Sequence, residues 1–308
     1  MRIYQIILKP LTGFGTPLKG DTLFGHICWQ IYYDSSLLGN SLDDLLIDYA
    51  RNPFFIISSV YPYIDGKIYL KRPTMPLHFL FELSEEELIS RRKELKTLSH
   101  FEFNPPLPPL NEIKYEKINF EKRDEQVRCT IHRILGKTSG DAFSPFVIDK
   151  IWYLTDLVLF AGLREDISIE GIIEALRRVG HFGYGKDKTA GWGKFEVIDY
   201  KEINFYSETE KSYNAYYTLS PMVPEANFKY KKVFFEPFVR FGRHGDILSV
   251  SKNPFKAPVL MADEGAIFIP EEFQKRVYIG RAITNISSIQ GTALCQGYAL
   301  VIPVEVKI

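Results

Sequence analysis

Three cysteines in 308 residues, Cys28, Cys129 and Cys295, are too scattered and the wrong number for a disulfide framework. Their scarcity points to a reducing compartment, and a cytoplasmic location is expected. A CxxC pair is missing, as is any His/Cys cluster at zinc spacing, so no structural zinc is expected. Asp43/Asp44, Asp141 and Asp246 form no readable metal constellation, and no cofactor is expected. No serine or cysteine nucleophile signature such as G-x-S-x-G is present. Apolar runs fall short of the roughly 20 residues a membrane helix needs. The opening "MRIYQIILKPLTG" carries one Arg and a Lys-Pro break, and reads as a first strand rather than a signal peptide. Net charge is lacking as well: 38 Lys and Arg balance 38 Asp and Glu. A whole-molecule basic field is thereby excluded, and any polyanion site must be a local patch.

What is present is ordinary globular composition, 45 % hydrophobic and 25 % charged, enough for one large domain or two modest ones. "RIYQIILK" reads as a strand and "DTLFGHICWQIYYD" (21–34) as a helix with Asp21 as its N-cap. Ser41 opens a second helix, and "FFIISSVYPYIDGKIYLKRP" is a hairpin by its Asp-Gly turn. An insertion of different character follows, over about 80–146. It holds a helix with a Ser84/Glu87 capping box, the extended connector "NPPLPPL", and a strand running into a polar turn. "IWYLTDLVLFAG" reads as one apolar strand, "SIEGIIEALRRVG" as an amphipathic helix, and "WGKFEVIDY" as a strand. Without the insertion and the 41–51 helix, the order is that of a split βαβ, ferredoxin-like unit, with helices on one face and the other face open for a ligand. Residues 201–308 read as a second, strand-rich domain, with a helix possible only around 271–278. The expected class is therefore α+β, with domains at 1–200 and 201–308.

The densest feature is "GHFGYGKDKTAGWGK" (180–194), with five glycines and three lysines. It nearly matches a phosphate loop. However, Asp187 stands where the magnesium-binding hydroxyl belongs, and the order runs helix to strand. "LGKTSG" fails too, because Ile131 sits where the first glycine is required. Glycines still let a backbone approach a bulky ligand and aim N–H groups at it. Lys186 and Lys188 supply charge, and Phe182, Tyr184 and Trp192 are candidates to stack on bases. Those ingredients suit single-stranded RNA. The plain alternative is a flexible turn whose aromatics plug the core. His26 on the first helix, His132 between Arg128 and Arg133, and His181 beside the loop are candidate general bases or simple packing residues.

Three N-terminal stretches, "GDTLFGHICW", "RCTIHRILGKTSGDAFSP" and "GYGKDKTAGWGKFEV", resemble the RAMP superfamily of CRISPR systems. With "KAPVLMADEGAIF" and "GTALCQGYALVIPVEV" in the second half, the chain is most similar to the Cas5-group subunit of type III-A effector complexes. That resemblance implies two tandem ferredoxin-like domains, the first with the long mid-chain insertion. It also implies a non-catalytic RNA-binding role, holding the repeat-derived 5′ handle of the CRISPR RNA. The implied partners are that RNA, a large polymerase-domain subunit and a backbone RAMP subunit, with no membrane. His132 departs from relatives, which commonly carry an acid before the arginine. The implied RNA contacts are Lys19 and His26 near the first helix, then Arg128, His132, Arg133, Lys137 and Thr138 on a thumb-like arm. Gly183, Tyr184, Gly185, Lys186, Lys188, Thr189, Gly191 and Trp192 complete them in the loop. Two alternatives stay open: a metal-independent processing endoribonuclease using His26 or His132, and a structural adaptor without RNA contact.

Overall fold

The computed structural model describes residues 1–138, 144–206 and 212–307. In chain order the first half runs β1 (Arg2–Pro10), α1 (Gly20–Tyr33), α2 (Leu42–Ile47), β2 (Phe55–Ile57), β3 (Tyr61–Ile64) and β4 (Lys67–Lys71). Next come α3 (Leu77–Leu80), α4 (Glu85–Ser90), α5 (Arg92–Thr97), β5 (His100–Glu102), β6 (Tyr115–Glu116), β7 (Glu121–Arg128) and β8 (Phe146–Tyr153). Then follow β9 (Asp156–Leu163), α6 (Ile169–Phe182) and β10 (Phe195–Ile203). The rest is strand: β11 (Ala215–Thr218), β12 (Tyr230–Phe234), β13 (Pro237–Arg240), β14 (Val259–Ala262), β15 (Ile267–Pro270), β16 (Tyr278–Gly280) and β17 (Tyr298–Val304). The chain is thus α+β with antiparallel sheets.

The first sheet has the order β10-β1-β9-β3-β4-β5-β6, with β2 also on β9. Because β1 is antiparallel to both β9 and β10, those two run parallel with β1 between them, and α6 connects them. Likewise β1 and β3 run parallel with β9 between them, connected through α1. This is a split βαβ path. α6 forms as its pattern dictates. Ser168 Oγ accepts the Gly171 N–H at 3.2 Å, and Ile169, Ile172, Ile173, Leu176 and Val179 bury one stripe. The hairpin β3–β4 turns on Asp65 and Gly66, both at positive φ, as a two-residue primed turn requires.

Several expectations are corrected. Asp21 does not cap α1; it lies inside the first turn, and its carboxylate pairs with the Arg240 guanidinium of β13. The 84–98 helix breaks at Arg91 into α4 and α5. "IWYLTDLVLFAG" is two strands, because β8 pairs with β7 in a separate two-stranded arm while β9 pairs with β1 in the main sheet. Residues 271–278 form no helix. Their backbone is taken up by tyrosine hydroxyls: Gln274 N–H donates to Tyr216 Oη at 3.2 Å and Arg276 N–H to Tyr206 Oη at 2.8 Å.

Nor is the second face of the first sheet open. On one face Phe55 stacks on Phe24 of α1 at 4.9 Å. On the other, Phe160 meets Phe103, just after β5, at 5.9 Å and Phe205 at 5.3 Å, and Gly162 lies against Leu300 of β17. The second sheet, in the order β12-β15-β11-β17-β16, covers what was expected to be a ligand face. One buried cluster runs through both sheets, from Ile6 and Leu159 to Ile267, Leu300 and Ile302.

Candidate nucleic-acid interface

α6 ends where Gly183 takes φ +96°, and the chain returns over 184–194 to start β10. This return interlocks with the 11–19 segment that follows β1. Gly193 N–H donates to Gly13 O at 2.9 Å, Lys186 N–H to Thr16 Oγ1 at 3.0 Å, and Lys194 N–H to Thr12 Oγ1 at 3.0 Å. Tyr184 N–H donates to Gly193 O at 2.9 Å. Gly185 N–H donates to Nε2 of His26 on α1 at 3.2 Å. A Cβ on Gly15 would meet the Lys186 carbonyl at 2.9 Å, and one on Gly185 would meet Thr16 Cβ at 2.7 Å. The glycines are therefore needed first for two loops to touch each other.

That changes which atoms face a ligand. Gly183, Gly185 and Gly191, expected to present their N–H groups to phosphates, spend them on Val179 O, His26 Nε2 and Lys188 O. Among the described residues, the loop N–H groups without a partner are those of Asp187, Lys188 and Thr189. They follow one another as the chain passes from Asp187 at φ +62° into a 3-10 turn, an arrangement that points successive donors outward. Lys186, Lys188 and Thr189 are exposed beside them. Asp187 Oδ2 is buried with no partner among the described residues.

His26 is fixed by the same contact. Burial, reinforced by the Lys188 charge, lowers its pKa to about 4. Near neutral pH it is the uncharged acceptor for Gly185, and its Nε2 is occupied. His132 stands apart on the arm, where its Nδ1 accepts the N–H groups of Ile134 and Leu135, both at 3.3 Å. His181 is exposed at the end of α6.

The aromatic expectations divide. Tyr184 is fully buried: its hydroxyl donates to Pro17 O at 2.8 Å and its ring packs on His26 at 4.8 Å. It is a core residue, not a stacking platform. Trp192 is buried too, with Arg128 Cζ and Lys150 Nζ each 4.6 Å from its ring centroid. It ties the β7–β8 arm to the glycine loop by cation–π contact, so no base can lie on it without displacing a cation. Phe182 remains 61 % exposed.

Lys19 is also reassigned. Its Nζ lies 2.5 Å from Asp263 and 2.7 Å from Glu264, half-buried, so its charge is neutralised by the second half of the chain. Arg133, Lys137 and Thr138 are exposed on the arm, where His132 N–H donates to Lys137 O and Gly136 N–H to His132 O. The quoted arm motif continues through 139–143, which lie outside the described residues, as does Asp141. Sequence reading missed Lys150, Thr12 and Thr16. Lys150 leaves one trace: a Cβ on Gly13 would occupy the space of its stem.

No protein-family model matches the sequence, and no curated protein matches it. Solved structures do. A chain of the Csm1–Csm4 cassette in complex with pppApA matches at TM-score 0.63 and 17 % identity, over 100 % of this chain and 99 % of that one. The cassette in complex with cA4 gives 0.63 and 18 % over the same spans. A chain of the Csm3–Csm4 subcomplex of the type III-A CRISPR-Cas interference complex gives 0.57 and 15 %, over 99 % of this chain and 100 % of that one. The chain has the fold of these type III-A subunits. The likeness spans essentially the whole of each chain. Among the described residues, no helix of this type III-A-like chain is long and apolar enough to cross a membrane.

Proposed function

We propose that the chain is a non-catalytic, cytoplasmic, RNA-binding subunit of a type III-A CRISPR interference complex. In this reading it holds the repeat-derived 5′ handle of the CRISPR RNA and bridges the large polymerase-domain subunit to the backbone filament. The observation that carries it is the end-to-end fold likeness to a chain of a Csm1–Csm4 cassette and to a chain of a Csm3–Csm4 subcomplex, in which Csm4 is the shared component. A Csm4-like subunit meets Csm1 on one side and Csm3 on another. The architecture is read as two tandem ferredoxin-like domains. In support, the second sheet places β17, β11, β15 and β12 in the order that β10, β1, β9 and β3 take in the first. Among the described residues the second unit has no α-helix, only a 3-10 turn at Asp246–Val250.

RNA is held, on this reading, by the Asp187–Thr189 N–H groups with Lys186 and Lys188, and by Arg133 and Lys137 from the arm. Phosphate contact supplies most of the affinity. The endoribonuclease alternative gains nothing from the site, because the best-placed histidine, His26, is neutral and engaged by Gly185. The deciding experiment compares two guide RNAs bound by the chain co-purified with its large-subunit partner. One carries the repeat-derived handle, and the other has an unrelated sequence of equal length. Preference for the first without cleavage is expected. Equal binding would remove the handle role, cleavage lost in His26→Ala or His132→Ala would remove the non-catalytic one, and cleavage that survives both would remove the histidine mechanism.

A further inference from the structure

Beside the loop, α1 and α6 run side by side, and between their exposed edges lies an open cleft of about 700 Å³. Two aromatic rings edge it. Tyr33 is 56 % exposed and is braced from behind by Trp29, whose ring stacks on it at 5.7 Å and 29°. Phe182 is 61 % exposed and directly precedes Gly183, where the loop begins. Between them the cleft floor is polar, with two carboxylates against one guanidinium, and His181 lies beside Phe182 at its edge. The Arg178 guanidinium is held in place by Asp34 at 2.9 Å and by Glu174 at 3.1 Å, and Gln30 adds an amide.

That chemistry selects its ligand. Two carboxylates would repel a phosphate placed inside, and Arg178 is already neutralised by them. A flat, uncharged, hydrogen-bonding ring is favoured instead: the aromatics offer π-faces, while the amide and carboxylates face its polar edge. Arg177, exposed at the rim with no ion-pair partner among the described residues, is placed for the phosphate attached to such a ring. The geometry points to this cleft as a pocket for one unstacked base of the single-stranded RNA whose backbone crosses the glycine loop. The inference rests on the RNA-binding reading and adds a site to it: the base splays away from the loop, past Phe182, and lodges between α1 and α6.

The test uses the full chain and a set of handle RNAs, each carrying the fluorescent adenine analogue 2-aminopurine at one position. Wild type is expected to quench or enhance one position selectively. Phe182→Ala and Tyr33→Ala, both at exposed side chains, abolish that signal and weaken binding on the order of tenfold, the worth of one base–aromatic stack, while an unchanged thermal midpoint shows that each variant is folded. Lys186→Ala/Lys188→Ala instead weakens binding of every RNA alike. RNA that binds while no position responds, with Phe182→Ala and Tyr33→Ala unchanged in affinity, overturns the pocket and leaves the RNA-binding reading standing. RNA that does not bind at all overturns both. A Phe182→Ala chain that keeps full RNA affinity but loses co-purifying protein assigns the cleft to a partner's side chain and overturns the base assignment.

Discussion

Lys186 and Lys188 have no ion-pair partner among the described residues, unlike Lys19 a short distance away along the fold. Each free lysine that meets a phosphate displaces counterions. Lys186→Ala/Lys188→Ala should therefore lower the slope of log K against log salt by about 1.4, at ~0.7 per contact on a single strand. A salt titration of RNA binding checks this, and an unchanged slope would place the phosphates elsewhere. His26 makes a second residue-scale prediction. In the unfolded chain it titrates near 6.5, whereas in the fold burial and Lys188 hold it to about 4. Between those values the unfolded state binds a proton that the folded state refuses, so stability falls as pH drops from 6.5 to 4, by about 3 kcal/mol. Urea melts across that window should show it, and His26→Gln should flatten that share. His100, lowered to about 4 for the same first reason, adds a parallel loss.

At the scale of elements, what was legible in the sequence is what short-range physics decides. The α6 stripe and its Ser168 cap, the Asp65-Gly66 turn and the Ser84/Glu87 capping box all stand where their spacing put them. The failures share a cause at long range. Nothing near Asp21 announces that Arg240 will claim its carboxylate. Nothing near 271–278 announces two tyrosine hydroxyls waiting for its amides. In the site, the lysines and the glycine spacing were visible, but which N–H groups remain free depended on a partner loop at 11–19. The arm is an element of a different kind. β7 pairs only with β8, and its residues are almost all exposed. Replacing 129–145 by a short Gly-Ser turn should leave the thermal midpoint within a few degrees of wild type. RNA retention in the assembled complex is expected to fall. A collapsed fold would mean that the tip carries stability after all.

Across the whole molecule, two ion-pair clusters fasten the start of α1 to the second half. Lys19 pairs with Asp263 and Glu264, and Asp21 with Arg240. Removing the lysine leaves two carboxylates together in a half-buried site with only Lys71, 3.6 Å from Asp263, to offset them. Lys19→Ala should therefore cost about 3 kcal/mol, measured by chemical denaturation. Because one buried cluster threads both sheets, wild type and Lys19→Ala alike should unfold in a single transition. Two separated transitions in either would show that the halves fold independently.

The interlocked glycine loop also sets a rhythm of isotope exchange. Amide protons of Tyr184, Gly185, Lys186 and Gly193 sit in hydrogen bonds and trade for deuterium only when the loop opens. Those of Asp187, Lys188 and Thr189 exchange freely until a ligand takes them. A bound strand would then slow three consecutive amides and leave their neighbours as they were, an imprint readable without knowing what the strand spells.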